Sequence, residues 1–460
     1  MAISDPIARR AGTARRAARA VLRCFSPRRL AATAAFLGGL ARQVRRRRAE
    51  ARLTVAVDID SLYETLTGVG WYLYEILAHL AQRDDLRLRL YGQALAPAAA
   101  PGAATSPGAA VAATAWLAPT VTLPAGPAIE HVTYAAPDGL VVPPWRADQW
   151  LRRAAPLLVA ADRNRVLFGP NFLLPPLFRF AAGARVVAIH DLAFRRLPWT
   201  VRPDTARALA ERLERTLLEA DLLLTDSQAV AGELAAAGVA PARVRAIHLG
   251  PGHLPPPSVV AAASPPPGTP DRYGLFVGTL EPRKNLATLL AAWRELRADR
   301  GGGGGGGGGG VPPLLVAGPR GWRARELRRL LAEAEGEGWL RYLGYVSPTE
   351  LAALYRGAAV VALPSLYEGF GMPAVEALAA GAPLVLSDLP VFREVAGDAA
   401  LYAPARRPDL WRDRLRQVLG DDNLRRDLAH RARRRAALFD WHRAAAATAD
   451  AWREAAGPLP

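Results

Sequence analysis

The stretch Val360-Val361-Ala362-Leu363-Pro364-Ser365-Leu366-Tyr367-Glu368-Gly369-Phe370-Gly371-Met372-Pro373-Ala374-Val375-Glu376-Ala377, followed shortly by Gly381, carries the reading of the whole chain. Val360 to Leu363 is a short continuous apolar run, the signature of a strand buried on both faces. Pro373 suits a first helical turn, and Gly381 suits the position just past a helix end. The segment therefore predicts a strand, a glycine-containing loop and a helix. Such a loop leads the unpaired N–H groups of a helix N-terminus to the carboxyl end of a sheet, a ready site for phosphate, and its glycines allow close approach.

The same alternation recurs along the chain. In the second half, strands are expected at Leu275 to Val277, Leu314 to Ala317, Arg341 to Leu343 and Pro383 to Leu386. In the first half they are expected at Leu53 to Ile59, Val166 to Phe168, Val186 to Ile189, Leu222 to Thr225 and Val244 to Leu249, with helices such as 205–220 and 229–237 between them. Strands alternating with helices imply mainly parallel sheets covered on both faces. The expected fold is α/β, with two doubly wound Rossmann-like domains facing a central cleft at the carboxyl ends of their strands. The boundaries read as a basic arm over 1–50, a first domain over 51–252, a proline-rich linker over 253–272, a second domain over 273–435 and a final segment over 436–460. The Ala/Pro/Gly-rich residues 94–127 read as a flexible insertion, and the ten glycines from Gly301 to Gly310 as a loop without chemistry.

The 460 residues are 51% hydrophobic and 22% charged, which fits a folded globular protein. Of the formal charge of +17, the first 50 residues supply +11, with 13 Arg against Asp5 and Glu50. The remaining +6 is too dilute for a nucleic-acid surface. An anionic membrane is the expected partner of the arm, against the plainer reading of a solvated tail. Leu30 to Ala41 is too short to span a bilayer. Cys24 is the only cysteine, which excludes an intrachain disulfide and a cysteine metal cage and fits a cytoplasmic location, peripheral at the inner face of the plasma membrane.

Every basic residue except Lys284 is Arg. Lys284 lies in Phe276-Val277-Gly278-Thr279-Leu280-Glu281-Pro282-Arg283-Lys284-Asn285, a second strand running into a loop and a helix. Two adjacent cations there can neutralise a diphosphate leaving group without a metal ion. The plainer reading is a solubilised helix start, although the helix dipole disfavours cations at that end. Glu368 in the loop and Glu376 in the following helix can accept hydrogen bonds from vicinal hydroxyls; alternatively they are a surface carboxylate and a solvated first-turn Glu. Asp58-Ile59-Asp60 fits a metal-binding spacing but ends the first strand, away from these loops, and no metal or other cofactor is expected. Thr67-Gly68-Val69-Gly70-Trp71 fails as a dinucleotide fingerprint, because Leu73 stands in place of the third glycine. It reads instead as a flexible glycine loop closing over phosphate, or as an ordinary turn. His190, following the strand Val186 to Ile189, is expected at the carboxyl end of the first sheet, though a lone His is often structural.

Taken in order, Thr67 to Gly70, His190-Asp191-Leu192, Thr225-Asp226-Ser227, Gly278 to Asn285, Leu343 to Val346, Pro364 to Glu376 and Glu394 to Ala400 resemble glycosyltransferase family 4, particularly its bacterial mannosyltransferase-like members. The resemblance covers about Thr54 to Tyr402. It implies a GT-B fold, a nucleotide-diphosphate sugar donor held by the second domain, an acceptor held by the first, and retention of anomeric configuration. It further implies that Glu368 contacts the donor sugar, Glu376 the ribose, and the N–H groups of Phe370, Gly371 and Met372 the sugar and phosphate. Lys284, with Gly278 beside it, would hold the diphosphate, His190 would approach the sugar, and Tyr345 and Val346 would lie near the base. A final helix would cross back to the first domain. Two positions depart from the pattern: Thr279 stands where many members carry Arg, leaving the second charge to Arg283, and Phe392-Arg393 stand where a Pro is common.

The expected reaction moves a sugar, with mannose from GDP-mannose the first choice, to a saccharide or lipid-linked saccharide in cell-surface polysaccharide synthesis. Glu368 and His190 are the expected catalytic pair, in a front-face displacement assisted by the leaving diphosphate. The competing readings are a sugar-nucleotide epimerase or hydrolase on the same fold, and an inactive scaffold tethered to the membrane by residues 1–50.

Overall fold

The computed structural model of the protein describes residues 52–62, 68–91, 123–132, 156, 159–160, 162–201, 203–252, 254–255, 263–299, 310–321 and 325–458. The expectations for the arm over 1–50, for Thr67, for most of the 94–127 insertion and for glycines 301–309 lie outside these residues. The chain divides into two units, one built from residues up to 188 with 215–224 and 445–460, the other from 189–214 with 225–444.

The first sheet has seven strands in the order β3-β2-β1-β4-β5-β6-β7. They are β1 (Leu53–Asp58), β2 (Leu86–Tyr91), β3 (Ile129–Val132), β4 (Val166–Gly169), β5 (Ala184–Ile189), β6 (Leu222–Thr225) and β7 (Val244–Ala246). Helices α1 (Gly68–Leu80), α2 (Ala193–Arg196), α3 (Pro203–Glu219) and α4 (Gln228–Ala236) connect them. β2 and β3 are absent from the sequence reading, and β7 is shorter than the run expected over 244–249. β2 reads Leu-Arg-Leu-Arg-Leu-Tyr, which looks half-exposed, yet Arg89 is buried. Its guanidinium donates to Glu130 at 3.0 Å, to the Asn164 amide oxygen at 2.9 Å and to the Asp162 carbonyl at 3.1 Å. These partners lie far along the chain, so local periodicity cannot announce them. In the same unit Trp452 packs edge-on against Phe168 at 5.0 Å, and Arg165 donates to the carbonyls of Ala456, Gly457 and Pro458.

The second sheet has six strands in the order β10-β9-β8-β11-β12-β13. They are β8 (Gly274–Val277), β9 (Leu314–Ala317), β10 (Leu340–Gly344), β11 (Val360–Leu363), β12 (Leu384–Ser387) and β13 (Ala400–Ala403). The helices of this half are α5 (Leu286–Asp299), α6 (Arg325–Gly336), α7 (Pro348–Gly357), α8 (Met372–Ala380), α9 (Pro390–Ala396), α10 (Pro408–Gly420), α11 (Asp422–Ala436) and α12 (Trp441–Ala456), the last of which ends in the first unit. β8, β9, β11 and β12 are buried along their whole length, which is why they read as continuous apolar runs. Trp293 and Trp411 fill the core on the face covered by α5 and α10. α7 opens on a reciprocal cap between Ser347 and Glu350, with Pro348 in its first turn. No described helix is long and apolar enough to cross a membrane.

Candidate active site

In the second sheet the strand order reverses between β8 and β11, and the loops leaving such a switch point are where open α/β sheets bind ligands. The β8 loop begins at Gly278, with φ +154°, and crosses the β9 loop at Gly318, with φ +137°. A Cβ on Gly318 would stand 2.2 Å from the Gly278 carbonyl oxygen, so this crossing requires glycine. The chain then makes a 3-10 turn over Pro282–Lys284 and ends it at Asn285, a non-glycine residue at φ 54°. Asn285 earns that conformation by donating from Nδ2 to the carbonyls of Pro364 at 2.9 Å and Ala405 at 2.6 Å. The Leu366 N–H donates to the Arg283 carbonyl at 2.8 Å, so the β8 and β11 loops are stitched together.

Lys284 and Arg283 meet Glu368 at that seam. The Lys284 ammonium donates to Oε1 at 2.7 Å, the Ser365 hydroxyl donates to the same oxygen at 2.6 Å, and Arg283 donates to Oε2 at 2.8 Å. Arg283 also pairs with Glu281 at 2.8 Å and donates to the Tyr367 carbonyl at 3.1 Å. Glu368 is only 8% exposed. Burial alone would raise its pKa, but the Lys284 and then the Arg283 charge outweigh burial, helped by the hydrogen bonds from Lys284 and Ser365, and hold it at about 2. The two cations expected at a helix start thus sit one turn ahead of α5, facing a carboxylate that relieves the unfavourable helix dipole.

The helix after β11 begins as its sequence predicts. Gly371 caps it at φ 89°, Pro373 occupies the first turn and Gly381 closes it at φ 71°. Phe392 lies against Gly371, where an added Cβ would come within 2.7 Å of its ring. Among the described residues, the N–H groups of Phe370, Gly371 and Met372 donate to no protein acceptor, so this end of α8 is open to an anion. Glu376, half-buried on α8, accepts from the Tyr355 hydroxyl at 2.7 Å. Burial raises its pKa, against the Tyr355 hydrogen bond and the Lys284 charge. Gly252, at φ +53°, lies so close that a Cβ there would fall 1.9 Å from its Oε1. Glu376 is therefore not the solvated first-turn residue of the plainer sequence reading.

The segment after β5 belongs to the same unit and runs against the Glu368 loop. A Cβ on Gly369 would lie 1.8 Å from the His190 carbonyl oxygen. The buried His190 ring is held through Nδ1 by Asp226 Oδ2 at 2.8 Å, which fixes its orientation. Ser227 donates to the Gly369 carbonyl at 2.6 Å while capping α4. Glu394 accepts from the N–H groups of Gln228 and Ala229 at 2.7 and 2.9 Å and contacts His248 Nε2 at 2.6 Å. Phe370 packs against both His248 and Phe439, which also touch each other.

The loops of the second unit thus bring Gly278, Arg283, Lys284, Glu368, Phe370, Gly371, Met372 and Glu376 to one end of the second sheet, with His190 against the Gly369 backbone. Thr279, partly exposed, follows Gly278. Tyr345 and Val346 follow β10, and the Tyr345 side chain is 75% exposed. Gly68 and Gly70 are not in a loop: both lie in the first turn of α1, because the apolar face of Tyr72, Leu73, Ile76, Leu77 and Leu80 carries the helix back to them. Asn285, Ser365, Tyr355, Gly252, Asp226, Ser227 and Glu394 are supporting residues that sequence reasoning gave no role. Asn285, Ser365, Asp226, Ser227 and Glu394 stood inside the motifs quoted above, but nothing local marked what they bind.

The sequence profile described as "Glycosyl transferases group 1" matches residues 262–435. O-antigen chain mannosyltransferase B of Escherichia coli is 32% identical over 305 residues, a match covering 63% of this chain and 74% of that protein. Serotype-specific mannosyltransferase WbdA of Escherichia coli is 26% identical over 303 residues, covering 65% of this chain and 32% of that much longer protein. Among solved structures, sucrose-phosphate synthase from Thermosynechococcus elongatus superposes with a TM-score of 0.62 over 88% of this chain and 99% of its own, at 19% identity, a likeness of fold.

Proposed function

The chain belongs to the group 1 glycosyl transferases and has the GT-B fold, and from that premise we propose that it transfers mannose from GDP-mannose, with retention, to a saccharide or lipid-linked saccharide in cell-surface polysaccharide synthesis. The observation that carries the reading is the seam at Glu368, where two partly buried cations meet one buried carboxylate beside an open helix N-terminus. In this reading Lys284 and Arg283 take up the diphosphate with the N–H groups of Phe370, Gly371 and Met372, Glu368 receives the sugar hydroxyls, and Glu376 the ribose. Tyr345 and Val346 serve the base, and His190, braced by Asp226, serves the sugar. The choice of mannose rests on the names of the Escherichia coli relatives.

The proposed step is a front-face displacement. The acceptor oxygen forms a bond to the anomeric carbon as the bond from that carbon to the diphosphate oxygen breaks, and the acceptor proton passes to the leaving diphosphate. The cations stabilise charge where it develops, the largest single contribution in many enzymes. The reading needs no divalent ion, so turnover should survive EDTA. Incubation of the purified chain with GDP-mannose and a mannose-terminated oligosaccharide should yield GDP and a product longer by one α-linked mannose, read by mass spectrometry and NMR. Turnover of a UDP- or ADP-sugar in place of GDP-mannose would overturn the donor, a β-linked product the retention, and GDP release unaffected by Lys284→Ala the role of Lys284.

A further inference from the structure

The second unit also holds a cavity of about 250 Å³ whose lining includes Arg196, Gly232, Glu233, Tyr367, Glu368 and Pro390. Lys284, Gly278, Met372 and Glu376 do not line it; of the donor residues named above, only Glu368 is shared. Its polar wall is built, with Arg196 Nε donating to Glu233 Oε2 at 2.8 Å. The Tyr367 hydroxyl accepts from the Leu192 N–H at 2.9 Å and reaches the same Glu233 oxygen at 3.4 Å. Leu389, Pro390 and Val391 supply an apolar side. A guanidinium and carboxylate beside an aromatic ring and apolar surface match a pyranose, which alternates hydroxyl groups with C–H faces. The volume lies below the ~300–1,000 Å³ typical of drug-sized pockets, and so suits one sugar ring better than a nucleotide.

Gly232 adds a second observation. It lies inside α4, where glycine is the poorest helix former apart from proline, yet a Cβ there would meet nothing within 4 Å. No packing contact demands glycine; an empty wall of the cavity does gain from it. We propose that this cavity seats the terminal pyranose of the acceptor, with Arg196 and Glu233 bonding its hydroxyls and its reacting hydroxyl at the Glu368 end. The inference rests on the sugar-transfer reading for its direction, since Glu368 is the one wall common to cavity and donor loops.

The test uses the whole chain, α-linked mannobiose as acceptor probe, and the variants Gly232→Leu and Glu233→Gln. With GDP-mannose saturating, both should raise the KM for mannobiose about tenfold to a hundredfold, the loss expected when a hydrogen bond to a charged group or the room for the ring is removed. The KM for GDP-mannose should not change. An unaltered mannobiose KM, or an equal rise in the donor KM, would overturn the proposal. Saturation-transfer NMR of mannobiose, which needs no turnover, separates the two readings. Binding by the natural chain that is lost in Gly232→Leu supports the cavity even if no donor is consumed, whereas binding equal in both proteins, or absent from both, defeats it.

Discussion

Replacing Glu368 by Gln leaves the shape of the seam intact and removes the one negative charge that Lys284 and Arg283 share. The side-chain amide can accept from one cation through its oxygen, but its NH2 group then faces the other. Breaking a buried ion pair by removing one partner costs about 3–5 kcal/mol. The depression of the Glu368 pKa from 4.5 to about 2 gives a similar figure, about 3 kcal/mol at ~1.4 kcal/mol per unit. For a unit of this size that is an apparent Tm lower by about 6–12 °C. The pH dependence has a definite sign. A carboxylate with a depressed folded pKa contributes stability that is fully present above its unfolded value of 4.5 and is lost as pH falls through 4.5 toward 2. The natural chain and Glu368→Gln should therefore differ most at pH 6–8 and converge in acid. Differential scanning calorimetry across pH, with and without GDP, is the assay. Because the variant removes the counter-ion that the two cations share, leaving Glu281 as the ion-pair partner of Arg283, GDP should raise its Tm more than it raises that of the natural chain. A pH-independent difference would refute the electrostatic reasoning, and an equal or smaller GDP shift would refute the assignment of these cations to a diphosphate.

Three further substitutions probe separate links. Gly369→Ala forces a Cβ to 1.8 Å from the His190 carbonyl oxygen, a backbone atom that cannot swing away, and should cost about 3 kcal/mol or more in thermal unfolding. A normal Tm would show that the loop is not held where the structure puts it. Asn285→Ala orphans the Pro364 and Ala405 carbonyls and strains a left-handed residue, for a loss of about 2 kcal/mol and a raised donor KM with acceptor KM unchanged. In the first unit, burial and then the neighbouring Asp60 raise the Asp58 pKa to about 8, against a hydrogen bond from the Asp60 N–H. The folded state then binds more protons than the unfolded one between pH 3.8 and 8, so stability declines through that window. Asp58→Asn should match the natural chain near pH 4 and exceed it at pH 9, and parallel Tm profiles would contradict this.

What the sequence discloses and what it hides divide by range. The turn from β11 to α8 is legible because Gly371, Pro373 and Gly381 each answer a local backbone demand. β8, β9, β11 and β12 are legible because strands covered on both faces are apolar throughout. β2 is not, since Arg89 becomes a core residue through partners such as Glu130, Asp162 and Asn164, 41 to 75 residues away. Lys284 and Glu368 could be nominated singly, but their contact joins residues 84 apart and shows them neutralising each other. Glu394 lies in a motif visible in the sequence, yet what it does depends on N–H groups 165 and 166 residues earlier. The glycine loop misled because Gly68 and Gly70 suggest flexibility while the apolar stripe behind them dictates a helix.

The resting seam carries no spare positive charge: Arg283 and Lys284 are ion-paired with Glu281 and Glu368, and Asp191 adds a further negative charge near Arg283. An anion is not drawn to it by spare positive charge, so a diphosphate can take Lys284 and Arg283 only by weakening their bonds to Glu368. That leaves a buried carboxylate short of donors, at a cost comparable to an unmade charged hydrogen bond. A ligand that carries sugar hydroxyls beside its diphosphate can supply the missing donors. A free nucleoside diphosphate cannot. In the proposed function the same contact that holds the site together before binding therefore favours the intact donor over the spent nucleotide, and assists product release once the sugar has moved to the acceptor. The tighter GDP binding expected of Glu368→Gln follows from this argument, because the variant removes the carboxylate whose needs GDP leaves unmet.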